Sequence, residues 1–261
     1  MSLSTGYKSL DKMLGGGFIK GKLYVLAARP CMGKTGFVLN VLNNICQKKN
    51  KTAILFSTEA GRCLTMARLL SIDCGIDPWK IQNFHMQEGE WDELKRAALK
   101  RNRQNLIIDD TDRIILNHIA SRCVDILDLD REKISLVVID HLKLLAKEDK
   151  SKKREADFIL EKLKEMAENL DIQILVVSQL TNELESRDDR RPILSDLCEQ
   201  MAVEKYADVV LFLYRDHYYN SDMEDSLTEV IVAKNTTCGC GTIELTYDPD
   251  VVKFEELQEV V

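Results

Sequence analysis

The sequence predicts an α/β fold: a mainly parallel, twisted sheet flanked by helices, with antiparallel strands along its C-terminal edge. Three observations predict it. Short apolar runs rich in Val, Ile and Leu recur along the 261 residues. Helical stripes lie between most of these runs. After Glu229 the pattern changes to strands joined by a Gly-containing turn. Runs this apolar suit strands buried on both faces, and strands alternating with helices mean a parallel sheet.

The expected strands are Leu23–Ala28, Thr52–Ser57, Asn105–Asp109, Leu136–Asp140, Ile172–Ser178, Val209–Tyr214 and Glu229–Ala233. Helices are expected over Thr35–Lys49, Cys63–Cys74, Trp91–Arg103 and Ile114–Leu127. A further helix follows from Ile159, Leu163, Met166, Ala167 and Leu170, which form one stripe at helical spacing. From Glu229 to Phe254, strands joined by Thr237-Cys238-Gly239-Cys240-Gly241 read as an antiparallel edge. No Pro/Gly/Ser linker interrupts the chain, so residues 1–261 read as a single domain. Two charged stretches, Lys143 to Arg154 and Arg187 to Arg191, read as exposed loops.

Composition narrows the classes. A 45% hydrophobic share excludes disorder throughout the chain. No apolar run approaches the roughly 18 residues of a membrane span, and no secretory signal opens the sequence. A cytoplasmic, reducing location is expected, with the eight scattered cysteines unpaired. Cys238-x-Cys240 lacks a second Cys/His pair at metal-site spacing, so zinc is not expected. The net charge of −7 argues against a uniformly basic nucleic-acid coat but leaves room for a local basic loop.

The sharpest motif is Ala28-Arg29-Pro30-Cys31-Met32-Gly33-Lys34-Thr35. It follows an apolar strand and opens a helical pattern, the context of a Walker A phosphate loop. Loop N–H groups and the helix N-terminus surround phosphates. Lys34 reaches the β- and γ-phosphates and the Thr35 hydroxyl holds Mg²⁺, so ATP and Mg²⁺ are the expected cofactors. The motif departs from the consensus at Ala28, where Gly is usual. Three other strand ends supply partners. Asp140 closes an apolar strand as a Walker B carboxylate that binds Mg²⁺ through water. Glu59 follows the second strand and is placed to polarise water as a general base. Gln179 ends another strand as a neutral amide that senses the γ-phosphate. Ligand sites of open α/β sheets lie at such carboxyl ends.

These residues sit in a wider set of matches. Ser4-Thr5-Gly6 to Leu10-Asp11 and then Leu14-Gly15-Gly16-Gly17 resemble the entry to RecA-like ATPases. The loop at 27–35, Ser178-Gln179-Leu180, Glu183 to Arg187, Arg190-Arg191-Pro192, Leu194 to Leu197 and Ala207 to Asp216 narrow the likeness. Together they resemble the C-terminal motor domain of DnaB-type replicative DNA helicases, over nearly the whole chain. Many members of that family also carry Ala at the position of Ala28. The resemblance implies a RecA-like P-loop ATPase fold, ATP hydrolysis at the subunit interfaces of a homohexameric ring, and 5′ to 3′ translocation on single-stranded DNA. It also implies a helicase loader or primase as partner, and no membrane. The family's usual N-terminal helical domain is absent from this sequence.

Carried over position by position, Lys34, Thr35, Glu59, Asp140 and Gln179 match the family's phosphate lysine, magnesium threonine, catalytic glutamate, Walker B aspartate and sensor glutamine. Arg68 matches an arginine near the nucleotide, although a helix-surface arginine explains it equally well. Other positions depart. The family's Lys-Gln-Arg, whose arginine reaches a neighbour's ATP, is here Lys234-Asn235-Thr236. Thr236 carries no charge, which leaves Lys234 as a point charge in place of a fork. A finger of this kind is worth about 10³–10⁵ in rate in related transferases. The family's DNA loop, Arg-Glu-Ser-Gly, becomes Cys198-Glu199-Gln200-Met201 and retains only Glu199. Its Tyr-Leu-Gln after the Walker B aspartate becomes His141-Leu142-Lys143.

For DNA, Lys150, Lys152, Lys153, Arg154, Arg190 and Arg191 are the candidates, on loops after the carboxyl edge of the sheet. Phosphate contacts need charge, not sequence readout. A solvated mixed-charge face explains the same residues equally well. Three functions follow: an ATP-driven helicase motor; a non-motor oligomeric ATP-binding module, favoured by Thr236 and Met201; and a RecA/KaiC-like regulatory or recombination ATPase, favoured by Gly15-Gly16-Gly17 but poorly matched by Arg191-Pro192 to Asp196. The motor is the reading the residues support best.

Overall fold

The computed structural model describes residues 2–48, 51–58, 60–101, 105–112, 114–129, 134–142, 152–219 and 226–257. Its chain begins with β1 (Ser2–Leu3), α1 (Lys8–Met13) and β2 (Phe18–Ile19). The body follows as β3 (Leu23–Ala28), α2 (Lys34–Cys46), β4 (Thr52–Ser57), α3 (Arg62–Cys74), α4 (Pro78–Gln82), α5 (Glu88–Arg101), β5 (Asn105–Asp109), α6 (Leu116–Leu129) and β6 (Ile134–Asp140). It ends with α7 (Lys152–Leu170), β7 (Ile174–Gln179), α8 (Gln200–Tyr206), β8 (Val209–Tyr214), β9 (Leu227–Asn235), β10 (Gly241–Asp248) and β11 (Lys253–Glu256).

Nine strands form one sheet in the order β11-β10-β9-β8-β3-β7-β6-β4-β5. The six strands from β8 to β5 run parallel and β9 to β11 antiparallel, as expected. From β3 the chain leaves toward β4, and it returns at β8 on the other side. The order therefore reverses at β3, where an open α/β sheet opens a ligand crevice.

The alternation of apolar residues assigns each face. Tyr24, Leu26 and Ala28 of β3 join α2 and the C-terminal strands in one core. Leu23, Val25 and Ala27 join α6, α7 and α8 in the other. Both faces of the parallel strands are closed, so their middles are apolar on both sides, whereas β9, β10 and β11 alternate apolar and polar residues; each fully buried Leu, Ile or Val contributes roughly 1.5–3 kcal/mol.

Differences from expectation have local causes. β7 starts at Ile174, not Ile172, because Asp171 turns left-handed at φ 51° and the Ile172 N–H donates to the Ala167 carbonyl at 3.1 Å. Those two residues close α7 instead of opening the strand. Of the basic stretch read as a loop, residues 143–151, Lys150 among them, lie outside the described part. Lys152, Lys153 and Arg154 form the first turn of α7, since Lys and Arg propagate a helix well and the apolar stripe behind them sets its axis. Helix α4 was not foreseen. It is too short for periodicity, yet Asp77 caps it through the Trp79 N–H at 2.7 Å and Pro78 occupies its first turn.

Helix α5 is mostly polar and is held by a buried ion pair. Arg101 pairs with Asp73 of α3, and their side chains are 6% and 2% exposed. The same guanidinium donates to the Leu69 carbonyl at 2.9 Å and to Asn43 Oδ1 at 3.1 Å. Asn43 in turn donates to Asp73 at 3.0 Å. Removing one partner leaves a charge buried without its mate, which costs about 3–5 kcal/mol. Arg101→Met is expected to lower stability by that amount, read from the shift of the urea unfolding midpoint. A loss below about 1 kcal/mol would show that water reaches Asp73.

Candidate nucleotide site

The phosphate loop sits where the topology puts it, between β3 and α2 beside the reversal point. Gly33 adopts φ 91° as the N-cap of α2, a conformation open to glycine. A Cβ there would also stand 3.2 Å from Phe254 Cζ. Lys34 folds across the loop and donates to the Ala28 and Arg29 carbonyls at 3.0 and 2.9 Å. The Thr35 hydroxyl donates to Asp140 Oδ2 at 2.8 Å, and Asp140 is 4% exposed. Hard oxygens paired at this spacing under a phosphate cradle suit Mg²⁺, which takes one or two protein oxygens and fills its octahedron from phosphates and water.

Register brings the remaining strand ends level. Ala28 pairs with Gln179, and Ser57 with Asp140. The Thr58 N–H and hydroxyl both donate to the Asp140 carbonyl at 2.9 Å, tying the end of β4 to that of β6. Glu59, expected as the general base, lies outside the described residues. Pro30, Cys31 and Met32 complete the loop. Cys31 is exposed with φ 63° and Met32 is buried.

Arg29 departs from a phosphate role. Its Nε donates to Glu185 at 2.9 Å and its NH1 to Asn182 at 2.6 Å, so the side chain faces the segment after β7. Arg68 is half-buried on α3, and its charge is felt by Tyr247.

Sequence reading missed a second wall of the site. Tyr247 of β10 lies beside Gly33, 3.5 Å from where its Cβ would stand. It stacks on Phe254 with ring centroids 4.2 Å apart. The Arg215 guanidinium lies 4.8 Å from the Tyr247 ring centre. Burial pushes the Tyr247 phenol up, against the pull of Arg215 and Arg68. No motif marks this wall. It forms because Asn40 of α2 bonds to both Val252 and Phe254 backbones, at 2.7 and 3.2 Å, and draws the C-terminal hairpin over the loop. The one available signal was that Arg215 follows β8, the neighbour of β3.

The finger segment lies elsewhere. Lys234 and Asn235 pair with Val210 and Val209, at the start of β8. They therefore occupy the amino edge of the sheet, about 20 Å of strand from their own phosphate loop. Lys234 donates to the Glu204 and Ala207 carbonyls at 2.7 and 2.5 Å, where burial lowers its pKa. The expected free cation is instead a cap on α8. Thr236 accepts from Lys22 at 3.4 Å.

The basic DNA candidates after β7 have partners within the chain. Arg191 forks onto Glu229, with Nε at 2.9 Å and NH2 at 2.5 Å, and its guanidinium lies 5.0 Å from the Tyr214 ring centre. Its charge is thus paired within the chain, although the loop is exposed as expected and the Arg191 side chain is 48% exposed. Arg190 is half-buried, 4.7 Å from the Tyr219 ring centre. Glu199 accepts from Ser178 at 2.9 Å, at the end of β7. Among the described residues no group of three or more His, Cys, Asp or Glu is placed to hold a metal, and no helix is long and apolar enough to cross a membrane.

Comparison with known proteins places this geometry. The DnaB-like helicase C terminal domain family matches residues 2–256. A probable replicative DNA helicase of Trieres chinensis is 37% identical over 259 residues, 97% of this chain and 56% of that protein. The replicative DNA helicase DnaB of Geobacillus stearothermophilus is 33% identical, over 98% of this chain and 57% of that protein. The chain thus spans a little over half the length of these curated relatives. A DnaB-like replicative helicase, solved in a study of its interactions with primase, superposes with a TM-score of 0.93 at 32% identity, covering 99% of this chain and 62% of that one. A separately solved ATPase domain gives the same TM-score and identity over 99% of this chain and 92% of that one. A RadB recombinase shares the fold alone, with a TM-score of 0.62 at 19% identity. A match from residue 2 to residue 256 takes in the nine-stranded sheet and every strand end of the site, and the chain belongs to the DnaB-like helicase C-terminal domain family.

Proposed function

We propose that this chain is an ATP-hydrolysing motor domain of a replicative-type DNA helicase, working on single-stranded DNA as a homohexameric ring. The observation that carries the reading is the Thr35–Asp140 bond at 2.8 Å beneath the phosphate loop, with Gln179 in register beside it. Mg²⁺ bound there supplies charge neutralisation for the transferred phosphoryl group. The chain's own groups do the rest. Loop N–H groups and the α2 N-terminus bind phosphate oxygens. Lys34 exchanges its loop carbonyls for the β- and γ-phosphates. Gln179 reads the γ-phosphate by hydrogen bond, and Glu59 orients the attacking water. Arg215, backed by the buried Tyr247 ring, offers a flat cationic face to the nucleobase, beside the loop that holds the phosphates. A primase or loader is the partner class, by likeness to relatives.

ATP turnover, measured with and without single-stranded DNA and alongside the oligomeric state, tests the reading. DNA is expected to stimulate turnover, and Lys34→Ala to reduce it by roughly 10²–10³-fold. Nucleotide binding in an assembled oligomer without DNA-stimulated turnover would sink the motor and leave a nucleotide-gated module, the reading that Thr236 favours.

The base wall makes a separate prediction. Arg215→Ala is expected to weaken ATP binding by roughly 5–30-fold, the worth of about 1–2 kcal/mol of stacking. Inorganic tripolyphosphate should bind the variant as it binds the parent in calorimetry. Equal losses for both ligands would place Arg215 on the phosphates.

A further inference from the structure

Arg29 belongs to the phosphate loop by sequence and to the segment after β7 by contact. Its side chain is 16% exposed, and its ion pair with Glu185 spans 2.9 Å. It also donates to Asn182 at 2.6 Å and to the Leu180 and Thr181 carbonyls at 3.4 Å each. Glu185 Oε1 accepts a second hydrogen bond, from the Tyr219 hydroxyl at 3.1 Å. Burial and this carboxylate push the Tyr219 phenol up to about 12, so it stays a donor. The Arg190 guanidinium lies over the face of that ring, 4.7 Å from its centre. Glu185 therefore joins the phosphate loop, the chain after β8 and the basic segment 187–191.

The same segment is fastened to the region matching the family's DNA loop. Leu180 bridges Leu197, and the Thr181 N–H donates to the Asp196 carbonyl at 2.7 Å. Arg187 and the Ile193 N–H both reach Asp196 Oδ2 at 2.8 Å. Ser178, one residue before the sensor Gln179, holds Glu199. Residues 180–201, with 3-10 turns at Glu183–Ser186 and Leu194–Asp196 and the first residues of α8 at their end, thus hang from the end of β7, the phosphate loop and the Asp196 carboxylate.

Resting on the function proposed above, we infer that Glu185 is a positioning residue: through Arg29 and Tyr219 it makes the placement of residues 180–201 depend on the state of the phosphate loop. It touches no phosphate position and needs none. A nucleotide that draws in the loop backbone at residue 29 moves the guanidinium fixed to it. The Glu185 carboxylate follows, because the bond is charge-assisted and its guanidinium is only 16% exposed, although Glu185 itself keeps 35% of its side chain in solvent. Two sites sharing one such element are coupled in both directions, so DNA bound at 180–201 alters nucleotide affinity by the same factor.

Hydrogen exchange on the full chain, with and without Mg²⁺ and ADP, is the test. In the parent, ADP is expected to slow exchange at residues 28–35 and to change it at 180–201. In Glu185→Gln the ADP affinity should stay within about threefold and the slowing at 28–35 should persist, while the change at 180–201 falls by at least about half. Glu185→Asp should restore it in part. Tyr219→Phe should show the same loss in smaller degree, and it carries the test should Glu185→Gln fold poorly. A residue that only stabilises the fold would shift both states alike and leave the ADP-dependent difference intact. Survival of that difference in both variants overturns the inference, as does its absence in a parent that binds ADP. A parent that binds no nucleotide overturns the functional reading and this inference with it. An ADP response that runs through Glu185 in a chain with no DNA affinity supports the coupling and sinks only the motor.

Discussion

The bond from Thr35 to Asp140 is the constraint on which the site depends. Thr35 is the second residue of α2, immediately after the phosphate lysine, whereas Asp140 ends a strand two places across the sheet from β3. The two meet only if β3, β7 and β6 keep a single register. A slip of one residue would turn every strand side chain to the opposite face and carry Asp140 away from the loop. The two cores forbid that slip, since even and odd residues of β3 are committed to different helices. The chemistry of the site is thus held by apolar packing some distance from it. Asp140 is a buried carboxylate, costly to keep charged unless hydrogen-bonded or bound to a cation, and Thr35 gives it one such bond.

Much of this was legible in the sequence, for a definite reason. Strands buried on both faces must be apolar throughout, and a phosphate loop needs glycine and a helix start at fixed places. β3, β4, β5 and β8 match the expected runs to the residue. Thr35 and Asp140 were each singled out because a helix start and strand ends point at the crevice, but the hydrogen bond that joins them was not read from the sequence. Short elements were not legible. α4, α8 and the 3-10 turns between 183 and 196 are too brief to show a period, and tertiary hydrogen bonds hold them. The Arg215–Tyr247 wall was also hidden, because its residues meet through a hairpin folded over Gly33 and share no local spacing.

Charge was the least legible quantity. A basic residue in a predicted loop counts as an open cation only until its partners are known. Arg191 is spent on Glu229, Arg29 on Glu185 and Lys234 on the carbonyls closing α8. Each pairing lies within the chain and reduces the positive field offered to DNA. In a chain with net charge −7, the field along the proposed DNA path would come from few groups. In the ring proposed above, six copies of the half-buried Arg190 would set a stronger local potential than its single-chain exposure suggests, because a narrow low-dielectric channel focuses the field.

The position of Lys234 and Thr236 decides how such an assembly must be built. They stand at the amino edge of the sheet and the phosphate loop at its carboxyl edge, so no flexing of one chain brings them together. A residue here that helps hydrolysis does so at a neighbour's nucleotide. The surfaces involved are then two different faces of the same protein, a heterologous contact that closes into a ring or runs on as a helix. Loss of a guanidinium at 236 weakens that contact's chemical share without removing its geometry. Lys234 already lies with its ammonium against the last carbonyls of α8, and burial lowers its pKa there. To serve a neighbour's phosphates it must leave those carbonyls. In the proposed assembly, a step that completes the site across the interface is therefore tied to the end of α8, the helix whose first residues, Gln200 and Met201, match the last two positions of the family's DNA loop.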